Sequence, residues 1–265
     1  MPEGDVLRLT AERLSAALRG RPLVRAELRW PSAGGATLTG STALETVAYG
    51  KHLLTRLDDG RTLHTHLRME GLWKIHRTDS PEASARNHAI RAVLATDAWT
   101  ATGWHLGMLD LLRTQDERRV LSALGPDVLG ADFLATGLAD GTARLGREPE
   151  RSLCAALLDQ RTVAGIGTIW MAESLFTRRL WPWTPAGSVP ESELNDLLRT
   201  ARRLMERSIA VGRARGPGAV ERHVHGRAGR PCHRCGTPIG VGSANEKPYE
   251  RPVFWCPSCQ DPSTE

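Results

Sequence analysis

The sequence has almost no lysine. Of its 35 basic residues only Lys51, Lys74 and Lys247 are lysines, so the positive charge is carried by arginine. With a net charge of +5 and a pI near 9.2, this balance favours an anionic partner, and arginine is the side chain that grips phosphate bidentately and stacks on bases. A lone lysine early in such a chain, Lys51, stands out for the same reason. Long apolar runs are also missing: no stretch of 18 apolar residues occurs, which excludes a membrane-spanning helix of ordinary length. The acidic N-terminus lacks the basic-then-apolar pattern of a signal peptide, so a soluble, cytoplasmic protein is expected. Cysteine is scarce outside one place. Of five, four form two Cys-x-x-Cys pairs near the C-terminus and Cys154 stands alone in a helical segment, which argues for a metal site in a reducing compartment and against a disulfide framework.

At 265 residues the chain can hold one large domain or two of ordinary size. Val6, Leu7, Leu9, Leu14 and Leu18 recur at helical spacing among Arg8, Glu12 and Arg13. Residues 22–75 then read as strands, with 22–28, 44–49, 53–57 and 63–69 as the clearest and Asp58-Asp59-Gly60-Arg61 as a hairpin turn. Two more short strands are predicted at 89–96 and 98–102, with a loop at 79–86. The strand pattern stops at Leu124-Gly125-Pro126-Asp127. Residues 131–211 read as helical, with 150–158, 168–176 and 190–210 as the best segments. The predicted class is α+β: an N-terminal antiparallel β-sandwich with a leading helix, followed by a helical region and a small cysteine module.

Three constellations carry chemistry. Cys232-x-x-Cys235 and Cys256-x-x-Cys259, with twenty residues between the pairs, form two metal knuckles. Four thiolates around one ion fit a closed, structural zinc site. Next, Leu158-Asp159-Gln160 is followed by Gly165-Ile166-Gly167-Thr168 and another helix. Glycine amides at a helix start can bind phosphate; the bland alternative is a helix–loop–helix whose glycines serve packing. Last, removal of Met1 would leave Pro2 as a free secondary amine near a helix start. Such an amine condenses with an aldehyde-like carbon to an iminium ion, an electron sink for eliminations. Glu3 beside it offers a carboxyl for proton transfer. The bland alternative is a plain helix start.

Taken together these residues resemble the formamidopyrimidine-DNA glycosylase/endonuclease VIII family along nearly the whole chain. The matching motifs are Met1-Pro2-Glu3-Gly4, Gly50-Lys51-His52-Leu53-Leu54, His66-Leu67-x-Met69-x-Gly71, Leu124-Gly125-Pro126-Asp127, Leu158-Asp159-Gln160 with Gly165-Ile166-Gly167, and Arg251-Pro252-Val253-Phe254-Trp255-Cys256-Pro257-Ser258-Cys259-Gln260. The resemblance implies four segments: a catalytic β-sandwich at 1–123, a linker at 124–130, a helix–two-turn–helix DNA-binding domain at 131–225 and a four-cysteine zinc hairpin at 226–262.

It further implies a bifunctional glycosylase and abasic-site lyase acting on duplex DNA with oxidised bases or abasic sites, a monomer associated with the nucleoid that needs one zinc ion and no organic cofactor or membrane. Pro2 would attack the sugar, Glu3 would move protons, and Lys51 and Arg251 would assist the two eliminations. His66, Gly165, Gly167 and Thr168 would contact DNA, and Met69, His105 and Leu106 would fill the gap left by a flipped-out base. Two positions depart from the family pattern. Thr168 stands where an asparagine is usual, and Val6 where a glutamate is common, leaving Asp5 as the nearest carboxylate. Oxidised pyrimidines are the expected lesions, because the chain opens Met1-Pro2-Glu3-Gly4 and only residues 212–230 link the last long helix to the zinc module. Arg213, Arg215 and Arg222 in that segment could still read a purine edge, so a purine-type enzyme is the alternative, and a non-catalytic damaged-DNA-binding protein the rival class.

Overall fold

A computed structural model describes residues 2–261. By its contacts the chain forms two compact units, Met1–Pro2 with Val6–Ala123 and Glu3–Asp5 with Leu124–Glu265.

In the first unit, helix α1 (Gly4–Leu18) buries Leu7, Ala11, Leu14 and Leu18, three or four residues apart, as an amphipathic helix requires. Eight strands follow: β1 (Arg25–Leu28), β2 (Ala43–Tyr49), β3 (His52–Leu57), β4 (Arg61–His66), β5 (Leu72–Arg77), β6 (Ile90–Ala95), β7 (Trp99–Trp104) and β8 (Met108–Arg113). They make two antiparallel four-stranded sheets, ordered β1-β6-β7-β5 and β2-β3-β4-β8. Leu28, Leu94 and Ala101 of the first sheet share one buried cluster with Leu53, Leu57, Leu63 and Leu109 of the second and with the leucines of α1. This is the expected sandwich with its leading helix.

Three details differ from the sequence reading. The strand predicted at 63–69 ends at His66, because Arg68 takes a left-handed conformation with φ 54° and turns the chain. β5 falls at the end of the 22–75 strand region without having been picked out, and β8 was not foreseen. Both are edge strands that carry polar residues (Lys74, His76 and Arg77; Asp110 and Arg113), which hides their alternation. A short helix, α2 (Glu117–Leu121), closes the unit; buried Glu117 accepts hydrogen bonds from Arg56 and Thr62.

In the second unit, a π turn at Phe133–Gly137 leads into α3 (Leu138–Leu145), followed by α4 (Leu153–Leu158), α5 (Thr168–Arg178) and α6 (Glu191–Arg215). The hairpin of β9 (Gly240–Ser243) and β10 (Pro252–Trp255) follows. The 124–130 segment, expected as a linker, is packed into this unit instead. Ala164 N–H donates to Pro126 O, Val128 N–H donates to Ala164 O, and the Arg202 guanidinium donates to the carbonyls of Val128 and Gly130. α6 also runs past its expected end, so Arg213 and Arg215 lie in its last turn, where their charge interacts favourably with the negative end of the helix dipole.

The segment after α6 is tied down by Glu173 of α5. This carboxylate is 3% exposed and accepts from the backbone N–H groups of His223, Val224 and His225 at 2.9–3.1 Å. Glu173→Ala strands three donors, each costing about 1–3 kcal/mol if it finds no water. Hydrogen exchange at residues 223–225 should accelerate markedly in this variant and much less in Glu173→Gln, which keeps an acceptor oxygen.

Candidate active site and metal centre

Residues Glu3–Asp5 are built into the second unit by side chain and backbone. The Glu3 carboxylate sits on the N-terminus of α5 and accepts from the N–H groups of Gly167 (2.9 Å), Ile169 (2.8 Å) and Trp170 (3.3 Å). Gly4 N–H donates to Gly165 O at 3.0 Å, and Ser208 Oγ donates to buried Asp5 at 2.7 Å. Glycine at position 167 is a matter of space. A Cβ there would fall 2.5 Å from Glu3 Cδ.

This arrangement corrects two expectations. Gly165 and Gly167 do not offer their amides to an external phosphate: Gly165 N–H donates to Gln160 Oε1 and Gly167 N–H to Glu3, so an internal carboxylate has taken the anion's place. Asp5 is likewise engaged, holding Ser208 of α6. Among the described residues, the α5 first-turn amide without a hydrogen-bond acceptor is that of Thr168. Thr168 Oγ1 lies 3.4 Å from His225 Nε2, and the His225 ring packs against Phe254 of β10. His225 was not singled out from the sequence, because 57 residues separate it from Thr168. Burial lowers its pKa to about 4, which keeps it neutral, and its Nδ1 is buried with no partner among the described residues.

In the first unit, register alone gathers the other candidates at one end of the β2-β3-β4-β8 sheet. Tyr49 pairs with His52, so Gly50-Lys51 is a two-residue hairpin turn; His52 pairs with His66, and His66 with Met108. Lys51 is only 7% exposed, an unusual burial for lysine. Met69 lies on the turn after β4 and is 59% exposed, while exposed His105 occupies the turn between β7 and β8 with φ 45°. Leu106 does not join them. It is 3% exposed and belongs to the core cluster with Leu67 and Leu109, so its assignment as a gap-filling residue is corrected: that side chain is already buried in its own unit.

Two histidines to which the sequence reading gave no role complete this end. His52 Nδ1 and His64 Nε2 are 2.8 Å apart, and His66 Nδ1 accepts from Arg68 N–H at 2.8 Å. Burial, aided by the neighbouring Arg68 and Lys51 charges, lowers His52 to about 3 and His66 to about 4, and burial also lowers His64. An imidazole held neutral in this way leaves stability intact above its unfolded pKa of 6.5. As pH falls below that value the unfolded chain takes up protons that the folded chain refuses, and stability is lost. Calorimetry should therefore show the melting temperature dropping between about pH 6.5 and 3, the window set by these shifts. The same instrument separates Leu106 from Met69. Leu106→Ala should cost about 2–5 kcal/mol as a core deletion, and Met69→Ala within about 0.5 kcal/mol as a surface change.

The four cysteines Cys232, Cys235, Cys256 and Cys259 converge, their sulfurs all within 4.8 Å of one another. The Cys235–Cys256 and Cys232–Cys259 pairs are 3.4 and 4.0 Å apart. Those values bracket the roughly 3.8 Å edge of a tetrahedron with 2.3 Å metal–sulfur bonds, so the donor set fits a four-thiolate metal ion. Arg234 N–H and Cys259 N–H point at Cys232 and Cys256 Sγ, as donors to thiolates do. Gln260 braces the site, accepting from Cys256 N–H and donating to Leu180 O. Arg251 is exposed at the start of the strand that leads into the second knuckle, and its carbonyl accepts from Ala244 N–H.

An antiparallel sandwich, a helix–two-turn–helix entered by the N-terminal peptide and a four-cysteine hairpin together define a narrow class of protein. Residues 1–121 match the formamidopyrimidine-DNA glycosylase N-terminal domain, and residues 124–216 match the formamidopyrimidine-DNA glycosylase H2TH domain. A probable endonuclease 8 2 of Streptomyces coelicolor is 42% identical over 262 residues, covering 98% of this chain and 94% of the relative. The DNA-(apurinic or apyrimidinic site) lyase Nei2 of Mycolicibacterium smegmatis is 36% identical over 268 residues, covering 99% and 100%. A crystal structure of a formamidopyrimidine-DNA glycosylase from Lactococcus lactis, bound to DNA containing an abasic site, shares the fold with a TM-score of 0.82 at 22% identity, covering 98% and 99%. The chain belongs to the formamidopyrimidine-DNA glycosylase/endonuclease VIII family, on its endonuclease VIII-like branch.

Proposed function

We propose that this protein is a DNA glycosylase and abasic-site lyase of base-excision repair that works through the amine of Pro2. The observation that carries this reading is the seat of Glu3. Its carboxylate is fixed by three amides one peptide bond from Pro2, which supplies an oriented proton carrier beside a potential amine nucleophile.

The Pro2 nitrogen attacks C1′ of the damaged nucleotide, the glycosidic bond breaks, and its electron pair leaves with the base. Glu3 protonates the ring oxygen, the sugar opens to an iminium ion, and loss of a C2′ proton expels the 3′ phosphate; a second elimination expels the 5′ phosphate. Lys51 assists the first elimination and Arg251 the second. His66 and Thr168 bind phosphates of the target strand, His66 through its Nε2–H and Thr168 through its amide and hydroxyl with His225 alongside. Met69 and His105 fill the gap left in the duplex. Cys232, Cys235, Cys256 and Cys259 hold one structural zinc ion, which when bound secures the base of the hairpin, and no organic cofactor is required. The enzyme acts on duplex DNA as a cytoplasmic monomer.

Oxidised pyrimidines are the preferred lesions. Supporting this, α6 extends to Arg215 and Glu173 anchors residues 223–225, so little chain remains between them to fold over a two-ring base.

Borohydride should trap a covalent complex with abasic-site DNA, and peptide mapping should place the adduct on Pro2. An adduct on a lysine, or none, would remove the proposal. Side-by-side excision of 5-hydroxyuracil, thymine glycol and 8-oxoguanine from matched duplexes tests the lesion: faster release of 8-oxoguanine would overturn that part alone.

A further inference from the structure

The end of the β2-β3-β4-β8 sheet holds three imidazoles where the proposed mechanism uses one. His64 and His66 alternate along β4 and share a face, and His52 sits opposite His66 across the strand pair. His64 is 2% exposed, opposite Asp110 in register and therefore anchored in the sheet. Its Nε2 bonds His52 Nδ1 at 2.8 Å, and the His52 ring meets the His66 ring edge-to-face, with centroids 4.9 Å apart and planes at 80°. From the buried end outward the order is His64, His52, His66.

We infer that His64 and His52 are positioning residues for the same reaction, a buried stack that holds the ring of His66 in the one orientation and tautomer in which it can donate to a DNA phosphate. The inference rests on the reading of His66 as a phosphate contact.

The tautomer follows from the donors and acceptors. His66 Nδ1 accepts from Arg68 N–H, so a neutral His66 carries its proton on Nε2. Burial and the nearby Lys51 and Arg68 charges keep the ring neutral, so its contact with phosphate is a directional hydrogen bond and depends on ring orientation in a way that a mobile ammonium does not. Arg68 is exposed and lies on a turn, a weak hold by itself. The rigid side of the ring is His52, and His52 is held by His64.

The test uses the full chain and an abasic-site duplex, with affinity read by fluorescence anisotropy and the His66 tautomer by ¹⁵N NMR of labelled histidine. His66→Ala should weaken binding about 10- to 100-fold, the usual loss for one hydrogen bond to a charged group. His64→Leu should approach the same loss, and His64→Gln, whose amide nitrogen falls where Nε2 stood, should restore most of it. Adding His64→Leu to His66→Ala should cost nothing further. In His64→Leu the single Nε2–H signature of His66 should become a mixture. His52→Leu breaks the same link from the outer side and must behave alike, which keeps the test open if His64→Leu folds poorly. Full affinity in His64→Leu or His52→Leu, or additive losses in the double variant, would overturn the inference while His66 kept its role. If His66→Ala itself binds normally, the reading of His66 falls, and the stack loses its purpose with it.

Discussion

The contact on which the rest depends is a carboxylate at the end of a helix. Glu3 puts two oxygens against three amides of α5, a place where the helix dipole and the unpaired N–H groups both favour an anion. Hydrogen bonds to a charged acceptor are worth about 1.5–3 kcal/mol each, so this one side chain fixes the N-terminal peptide more firmly than surface contacts could. The neighbours follow from it. Gly167 leaves room for the carboxylate, Gly4 N–H reaches Gly165 O, and Asp5 fastens the next turn to Ser208. Glu3, the residue after Pro2, is thereby held in one place.

The same contact limits what else the start of α5 can bind. With the first-turn amides given to Glu3, little is left at α5 for a phosphate beyond Thr168 and its neighbour His225. The β2-β3-β4-β8 end holds a buried lysine, Lys51, and an imidazole, His66, that burial keeps neutral. In a chain with three lysines, the one in a two-residue hairpin turn is also the one that is buried.

Much of this was legible in the sequence, and what was not has physical reasons. The 3–4 spacing of the α1 leucines, the turn at 58–61 and the two cysteine knuckles are local signals, and each gives the element it announces. The Gly165–Thr168 loop was read as a phosphate seat at a helix start, and the helix start is there with an internal carboxylate in the seat. Its occupant could not be read, because the carboxylate comes from 164 residues away. Edge strand β8 escaped, and β5 was not picked out within its strand region, for a different reason, since one solvent face lets polar residues break the alternation. Leu106 had a wedge role only through the family resemblance, and a one-residue alternation puts His105 outside and Leu106 in the core. The link from His64 through His52 to His66 needs the register of two strands, which composition does not give.

Gly167→Ala is the most direct test of the Glu3 seat. The backbone there is extended, with φ −132° and ψ −160°, so alanine is conformationally acceptable and only the space of the Glu3 carboxylate is lost. Single-turnover trapping of abasic-site DNA by borohydride, with the melting temperature as a control, is the measurement. If the carboxylate positions the N-terminal nucleophile, the trapping rate falls by about 100-fold, the size expected from an ångström of misplacement, while the protein stays folded. A folded Gly167→Ala variant that traps at the unaltered rate would contradict the claim.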